Sequence, residues 1–336
     1  MAPRTIRCGV VGYGGAFNMG HRHLSSMIMN PGMEAVAVCD PDEPRRQVAQ
    51  KEWPQVRTYA RLADMLKGSK LDLVAIITPH DTHGKLAVQC LEAGAGVVCE
   101  KPMAITTREV KAMIAAAKKS KVVLSTFHNR RWDGDFMTLR GLICDEHIIG
   151  RPFRIQAGFA GYGAQNDWWR ADRRISGGSI YDWGAHFTDW ILNLVAEPVD
   201  WVTGYQAKNP DWKRYTNEDH SEYTLRFHGG CQATLTISNM AMSPQPRWRI
   251  LGEKGSIEDV GGKFQVRTLV KGRQMSGEVA FQQSNWDAYY RNVYEHMMGK
   301  AGLVITAESA ARVISVLEAA NLSAEKGSAP VKPAFV

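Results

Sequence analysis

A chain of 336 residues is long enough for two domains, each with its own core. Its hydrophobic share of 44% is ordinary for a soluble globular protein, and no apolar run approaches the about 20 residues that span a membrane, so no membrane partner is expected. The formal charge of +7 comes from dispersed Lys and Arg without a basic helix or recognition signature; it argues against nucleic acid and for a mild attraction of anionic cofactors or substrates.

Residues 1–7 run into a strand without the basic start, apolar stretch and small-residue cleavage site of a signal peptide, which points to the cytoplasm. Cys8, Cys39, Cys90, Cys99, Cys144 and Cys231 sit singly in apolar contexts and read as buried thiols, not as disulfides, zinc ligands or a redox pair. His220, His228 and His296 are scattered, and no metal site is expected.

Residues 5–11 predict a buried parallel strand running into Gly12-Tyr13-Gly14-Gly15. Glycine suits a turn this tight, because a Cβ would keep the backbone amides from a pyrophosphate. The helix that follows, through residues 21–29, offers its N-terminal amides and dipole to phosphate. Gly12, Tyr13, Gly14, Ala16 and Phe17 are thereby candidate cofactor residues. Phe17 occupies the place of the third glycine of the dinucleotide fingerprint and Gly20 comes three residues later, so a longer turn before the helix is expected. The strand over residues 33–39 closes on Asp40, whose carboxylate can accept from the adenosine ribose hydroxyls and would repel a 2′-phosphate; NAD is expected over NADP. Arg45 and Arg46 can each reach a 2′-phosphate or lie solvated in the first turns of a helix.

Helices over 44–51 and 61–66 lead to a strand over 71–77 that ends at Thr78-Pro79, with Thr82 a candidate N-cap for the helix carrying His83. A short strand over 96–99 then delivers Glu100-Lys101-Pro102 to the same edge, where proline restricts Lys101 and holds its ammonium. Thr78, Pro79, His83, Glu100 and Lys101 complete the candidate cofactor set. A helix over 106–119 and a strand over 122–126 close a doubly wound sheet, whose right-handed crossovers place these loops on one side.

Further along, Asp182 and His186 are spaced i and i+4, on one face if the segment is helical. A carboxylate beside an imidazole orients it and raises its basicity, which suits proton transfer near neutral pH; a buried structural pair is the alternative. Ser176-Gly177-Gly178-Ser179 supplies a loop and an N-cap ahead of it.

Gly12-Tyr-Gly14, Thr78-Pro79-x-x-x-His83, Glu100-Lys101-Pro102 and Gly177-Gly178-x-x-x-Asp182-x-x-x-His186 occur in the order found in the glucose-fructose oxidoreductase and inositol dehydrogenase family, Gfo/Idh/MocA, which the chain resembles over essentially its whole length. The resemblance implies an α/β Rossmann domain for NAD or NADP over residues 1–127. An α+β domain with a large open, mainly antiparallel sheet follows over 128–336, its last helices able to pack back on the first domain. That sheet often mediates oligomerisation in the family, so a homodimer or homotetramer is expected. It also implies that Lys101, Asp182 and His186 line the reaction site.

Arg131 and Trp132, in a polar and aromatic crossing between domains, can hydrogen-bond and stack on a sugar-like substrate, and Arg131 can equally form an interdomain salt bridge. Tyr162, Trp168, Trp169 and Arg170 suit a polyol, with C–H faces and hydroxyl rims; tryptophans packed under the loop are the alternative. Phe153, Ile155, Ala157 and Phe159 alternate as on a strand with one buried face. Strands at 223–227, 231–237 and 248–250 pair a core face with a polar one carrying Thr224, Arg226, Gln232, Thr234 and Thr236, either solvated or set against another subunit. Helices over 286–298 and 308–324 end the chain, and Tyr289 and Tyr290 fit core packing better than a site.

The expected reaction is hydride transfer between a secondary alcohol of a sugar, sugar derivative or cyclitol and a nicotinamide. His186 is the candidate base, Asp182 orients it or binds substrate, and Lys101 polarises the oxygen. The resemblance leaves two further readings: an NAD-retaining glycoside hydrolase or lyase working through transient oxidation, and a non-catalytic dinucleotide-binding regulator.

Overall fold

The structure, a computed structural model, describes residues 5–243 and 245–335; residues 1–4, on which part of the signal-peptide reading falls, lie outside it. The chain divides into two compact units. One comprises the described residues through His128 together with Asp287–Ala311, the other Asn129–Trp286 together with those from Arg312 on.

In the first unit, strands β1 (Ile6–Val11), β2 (Met33–Cys39), β3 (Arg57–Tyr59), β4 (Leu73–Ile76), β5 (Gly96–Cys99) and β6 (Leu124–Thr126) alternate with helices α1 (Met19–Ile28), α2 (Glu43–Glu52), α3 (Leu62–Gly68), α4 (His83–Glu92) and α5 (Thr107–Ser120). The sheet runs β3-β2-β1-β4-β5-β6, all parallel. Leu73, Val74, Ala75 and Ile76 on β4 and Val97, Val98 and Cys99 on β5 are fully buried, which is why these strands read as continuous apolar runs instead of alternating ones. The winding reverses between β1 and β4, so Gly12 and Thr78 follow adjacent strands at the switch point, where open α/β sheets bind ligands. Thr106 and Glu109 form a reciprocal capping box on α5. Thr82 does not cap α4 as expected. Its backbone is already helical, continuing a 3-10 turn over His80–Thr82, so its hydroxyl turns back and donates to Pro79 O at 2.7 Å.

The second unit contains α6 (Gly134–Arg140), β7 (Pro152–Ala160), α7 (Arg173–Ser176), α8 (Trp183–Leu194), β8 (Val199–Ala207), β9 (His220–Phe227), β10 (Gln232–Ser238), β11 (Trp248–Gly252), β12 (Gly255–Asp259), β13 (Lys263–Val270) and β14 (Arg273–Ala280). They build an eight-stranded sheet in the order β14-β13-β12-β11-β7-β10-β9-β8, antiparallel except for the β7–β10 pair. One face is apolar and packs α8: the rings of Phe187 and Trp190 lie 5.4 and 5.7 Å from that of Trp248. Gly184 lets the helix approach, since an added Cβ would stand 2.8 Å from Tyr223 Oη. The Tyr223 hydroxyl in turn pairs with Thr188 Oγ1 at 3.0 Å. The other face is the expected polar one, laced by Thr224–Thr234 and Arg154–Gln232 hydrogen bonds.

Burial along β7 is narrower than its alternation predicts. Ile155 and Ala157 are buried, but Phe153 and Phe159 at the strand ends are 51% and 46% exposed, and Phe159 instead stacks on Trp183 at 4.9 Å. Helix α9 (Ala288–Met297) returns to the first unit, and α10 (Ala307–Glu325) begins in the first and ends in the second. No described helix is long and apolar enough to cross a membrane.

Candidate cofactor and catalytic sites

In the first unit, Gly12 has φ +96° and an added Cβ would collide with Ile77 O, so β1 can turn here only with glycine. Its N–H donates to Cys39 O at 2.8 Å. Asp40, buried at the end of β2, accepts from Tyr13 N at 2.6 Å and Asp42 N at 2.9 Å, tying the turn to that strand. Gly14 has no atom within 4 Å of where a Cβ would stand, and Ala16 and Phe17 are exposed. The turn is long, as expected: α1 starts only at Met19. Gly20 supplies the close approach that the fingerprint's third glycine would give, an added Cβ there standing 2.5 Å from the Tyr13 ring. Arg46 is committed to the carbonyls of Asp40 and Pro41, each at 2.8 Å, while the Arg45 guanidinium lies over Gly15.

The loops after β4 and β5 are clamped together. His83, fully buried, places Nδ1 2.8 Å from Pro102 O and Nε2 2.9 Å from Thr78 O. The Lys101–Pro102 peptide is cis. Glu100 Oε1 lies 3.0 Å from His23 Nε2, and Oε2 accepts from Lys101 N at 2.9 Å. Burial pushes the Glu100 carboxyl up, but the hydrogen bond from His23 and the charges of His23 and Lys101 outweigh it and hold the group below its ordinary value. Thr78, Pro79, His83, Glu100 and Lys101 thus gather at the neighbouring carboxyl ends of β4 and β5. A glycine turn with open space at Gly14, an acid closing β2 and a strand-end lysine fit a dinucleotide: Gly12 to Phe17 would hold its phosphates and Asp40 its ribose.

In the second unit, Asp182 precedes α8 at its N-cap instead of standing inside the helix, and makes no capping hydrogen bond. Its carboxylate accepts from Arg170 Nη1 at 2.9 Å, and that guanidinium lies over the rings of Trp169 and Trp168 at 4.9 and 5.4 Å. Asp182, Trp168, Trp169 and Arg170 are therefore brought together. His186 lies on α8, 5% exposed, with Trp183 edge-on at 5.7 Å and Trp190 stacked at 6.1 Å. Tyr162 is exposed, its ring against Trp212 at 5.6 Å. Trp132 is half-buried and its carbonyl accepts from Asn285 N. Arg131 makes a bidentate pair with Asp189, Nε to Oδ2 at 2.8 Å and Nη2 to Oδ1 at 2.7 Å. The salt bridge lies within the second unit, so the interdomain pair, one of the two readings of Arg131, is not what forms; Asp189, one turn beyond His186 on α8, draws the guanidinium to that helix.

Sequence reasoning passed over Asn217, Glu218 and Asp219, all buried. Glu218 accepts from Ser179 Oγ at 2.7 Å, Ile180 N at 3.3 Å and Arg173 Nη1 at 2.7 Å, which fixes the Gly177-Gly178 turn ahead of Asp182. Asn217 Nδ2 donates to Arg170 O at 2.7 Å, and Asp219 accepts from Tyr215 Oη at 2.8 Å. A polar triplet before a strand reads as a solvated loop, and nothing in its spacing signals burial. Among the described residues no group of three or more His, Cys, Asp or Glu is placed to hold a metal ion.

Residues 6–128 match the oxidoreductase family with an NAD-binding Rossmann fold, GFO/IDH/MocA, and residues 136–258 match the C-terminal domain of that family. An uncharacterized oxidoreductase, YdgJ of Escherichia coli (strain K12), is 30% identical over 335 residues, covering 94% of this chain and 95% of that protein. The D-apiose dehydrogenase of Paraburkholderia graminis is 31% identical over 93% of this chain and 86% of its own length. The scyllo-inositol 2-dehydrogenase (NADP(+)) IolW of Bacillus subtilis (strain 168) is 26% identical over 96% and 94%. Among solved structures, an NAD-binding protein from Listeria innocua superposes with a TM-score of 0.85 at 25% identity, covering 98% of this chain and 97% of that one. Fold and sequence together define an NAD(P)-dependent dehydrogenase with an NAD-binding Rossmann domain. The chain belongs to the Gfo/Idh/MocA family.

Proposed function

We propose that the protein oxidises a secondary alcohol of a sugar, sugar derivative or cyclitol with NAD, or runs the reverse reduction. The observation that carries this reading is Lys101, fixed through Glu100 at the carboxyl end of β5 in the NAD-binding unit. Relatives named for scyllo-inositol, myo-inositol and D-apiose dehydrogenation support the substrate class. Bound NAD supplies a hydride acceptor. Lys101 polarises the alcohol oxygen and stabilises developing alkoxide charge, and His186 removes the hydroxyl proton. Asp182 orients His186 or binds substrate, with Trp168, Trp169 and Arg170 completing recognition alongside Trp132, Tyr162 and Arg131. The polar face of the eight-stranded sheet is our candidate for a homodimer or homotetramer contact, which sedimentation tests.

The experiment is a screen of scyllo-inositol, myo-inositol, D-apiose and glycosides with NAD and NADP, following the reduced cofactor. Lys101→Met and His186→Ala are each expected to lower turnover by about 10²–10⁴-fold while NAD affinity stays. Normal turnover in both variants would end this assignment, and glycosidic cleavage without net cofactor reduction would move it to redox-assisted hydrolysis.

A further inference from the structure

Leading to Lys101 is a largely buried chain of hydrogen bonds that the reaction as written does not use. Tyr290 Oη lies 2.5 Å from His23 Nδ1, His23 Nε2 lies 3.0 Å from Glu100 Oε1, and Glu100 Oε2 accepts from Lys101 N at 2.9 Å. His23 and Tyr290 are fully buried, and the His23 ring is further held by Phe127 at 4.3 Å. An ionised Glu100 only accepts, so His23 Nε2 carries a proton toward it, while Nδ1 is paired with the Tyr290 hydroxyl. The three residues come from α1, which follows the glycine turn, from α9, and from the end of β5.

We propose that His23 is a positioning residue for Lys101: its Nε2–H keeps Glu100 ionised and in place, and Glu100 fixes the backbone from which the lysine projects. This rests on the reading of Lys101 as the residue that acts on the reacting oxygen. The physical necessity is desolvation. A carboxylate only 13% exposed that loses one of its donors is more easily protonated, and a protonated Glu100 no longer presents two acceptor oxygens to His23 and Lys101 N.

The test uses the NAD-bound chain, with the carboxyl carbons of labelled glutamate followed by NMR through a pH titration, and turnover measured on scyllo-inositol, myo-inositol and D-apiose. His23→Leu removes donor and acceptor, whereas His23→Gln keeps one of each. In His23→Leu the Glu100 signal is expected to titrate at higher pH, kcat at neutral pH to fall about tenfold or more, and the acid limb of its pH profile to move up; His23→Gln recovers both readouts. Tyr290→Phe, the milder change, is expected to move Glu100 in the same direction by less, and decides the matter if His23→Leu does not fold. An unmoved Glu100 titration in both His23→Leu and Tyr290→Phe overturns the proposal. So does a moved titration with an unchanged kcat profile when Lys101→Met is inactive. Full turnover in Lys101→Met would instead sink the catalytic reading of the lysine, which separates the two failures.

Discussion

Arg170 Nη1 and Asp182 Oδ1 stand 2.9 Å apart, and this ion pair holds the carboxylate of the Gly-Gly/Asp/His motif just outside the helix that carries His186. Both side chains keep contact with solvent, 22% and 44% exposed, so the pair contributes little to stability. Arg170→Ala is expected to change unfolding free energy by under about 1 kcal/mol while lowering kcat/KM by about tenfold or more. Arg170→Lys recovers only part, because an ammonium lacks the planar fork. Denaturant melts and steady-state kinetics on the same preparations check this.

The Arg131–Asp189 pair behaves in the opposite way. With side chains 9% and 2% exposed, it is desolvated and bidentate. Arg131→Ala or Asp189→Ala leaves a buried charge without its partner and should cost about 3–5 kcal/mol in urea unfolding. Arg131→Met combined with Asp189→Leu should cost less than the sum of the single changes.

The glycine turn separates folding from cofactor binding. Gly12→Ala forces a side chain into the left-handed region and against Ile77 O, and should lower the melting temperature markedly. Gly14→Ala meets nothing within 4 Å, so stability should hold within about 0.5 kcal/mol, yet calorimetric titration with NAD should show affinity weakened by about tenfold or more.

Stability should fall in alkali. Burial pushes the thiols of Cys8 and Cys90 up to about 12 and those of Cys39 and Cys231 up to about 11, and burial also raises Tyr290. Above pH 9 the unfolded chain loses these protons while the folded one keeps them, so the unfolded state binds fewer protons and unfolding becomes easier as pH rises. Glu100 acts at the other end. Its folded value lies below its usual 4.5, so its contribution is complete above that value and is lost as pH falls through the folded one. Urea midpoints across the pH range test both limbs, and slow thiol alkylation of the folded chain at pH 8 is a further check.

Periodicity made the first unit legible. Strands buried on both faces announce themselves as apolar runs, and the glycines and Asp40 at their ends mark a ligand edge by chemistry that needs no partner elsewhere in the chain. The second unit was less so. β14, exposed at nearly every residue, has no buried face to imprint an alternation, and β8 and β13 were likewise not expected from the sequence; in the first unit the three-residue β3 was missed too. The i, i+4 spacing of Asp182 and His186 pointed to a shared helix face, but the helix starts one residue after Asp182.

Residue order alone therefore determined the doubly wound sheet, its glycine turn, the strand-end position of Lys101 and the family to which the chain belongs. Tertiary structure decided which charges are committed. Arg131 goes to Asp189, Arg170 to Asp182, and Glu100 to His23, 77 residues away in the chain. Local sequence fixes backbone preference and periodic burial, whereas the partner of a buried polar group is set by whichever distant side chain the fold brings within hydrogen-bonding reach.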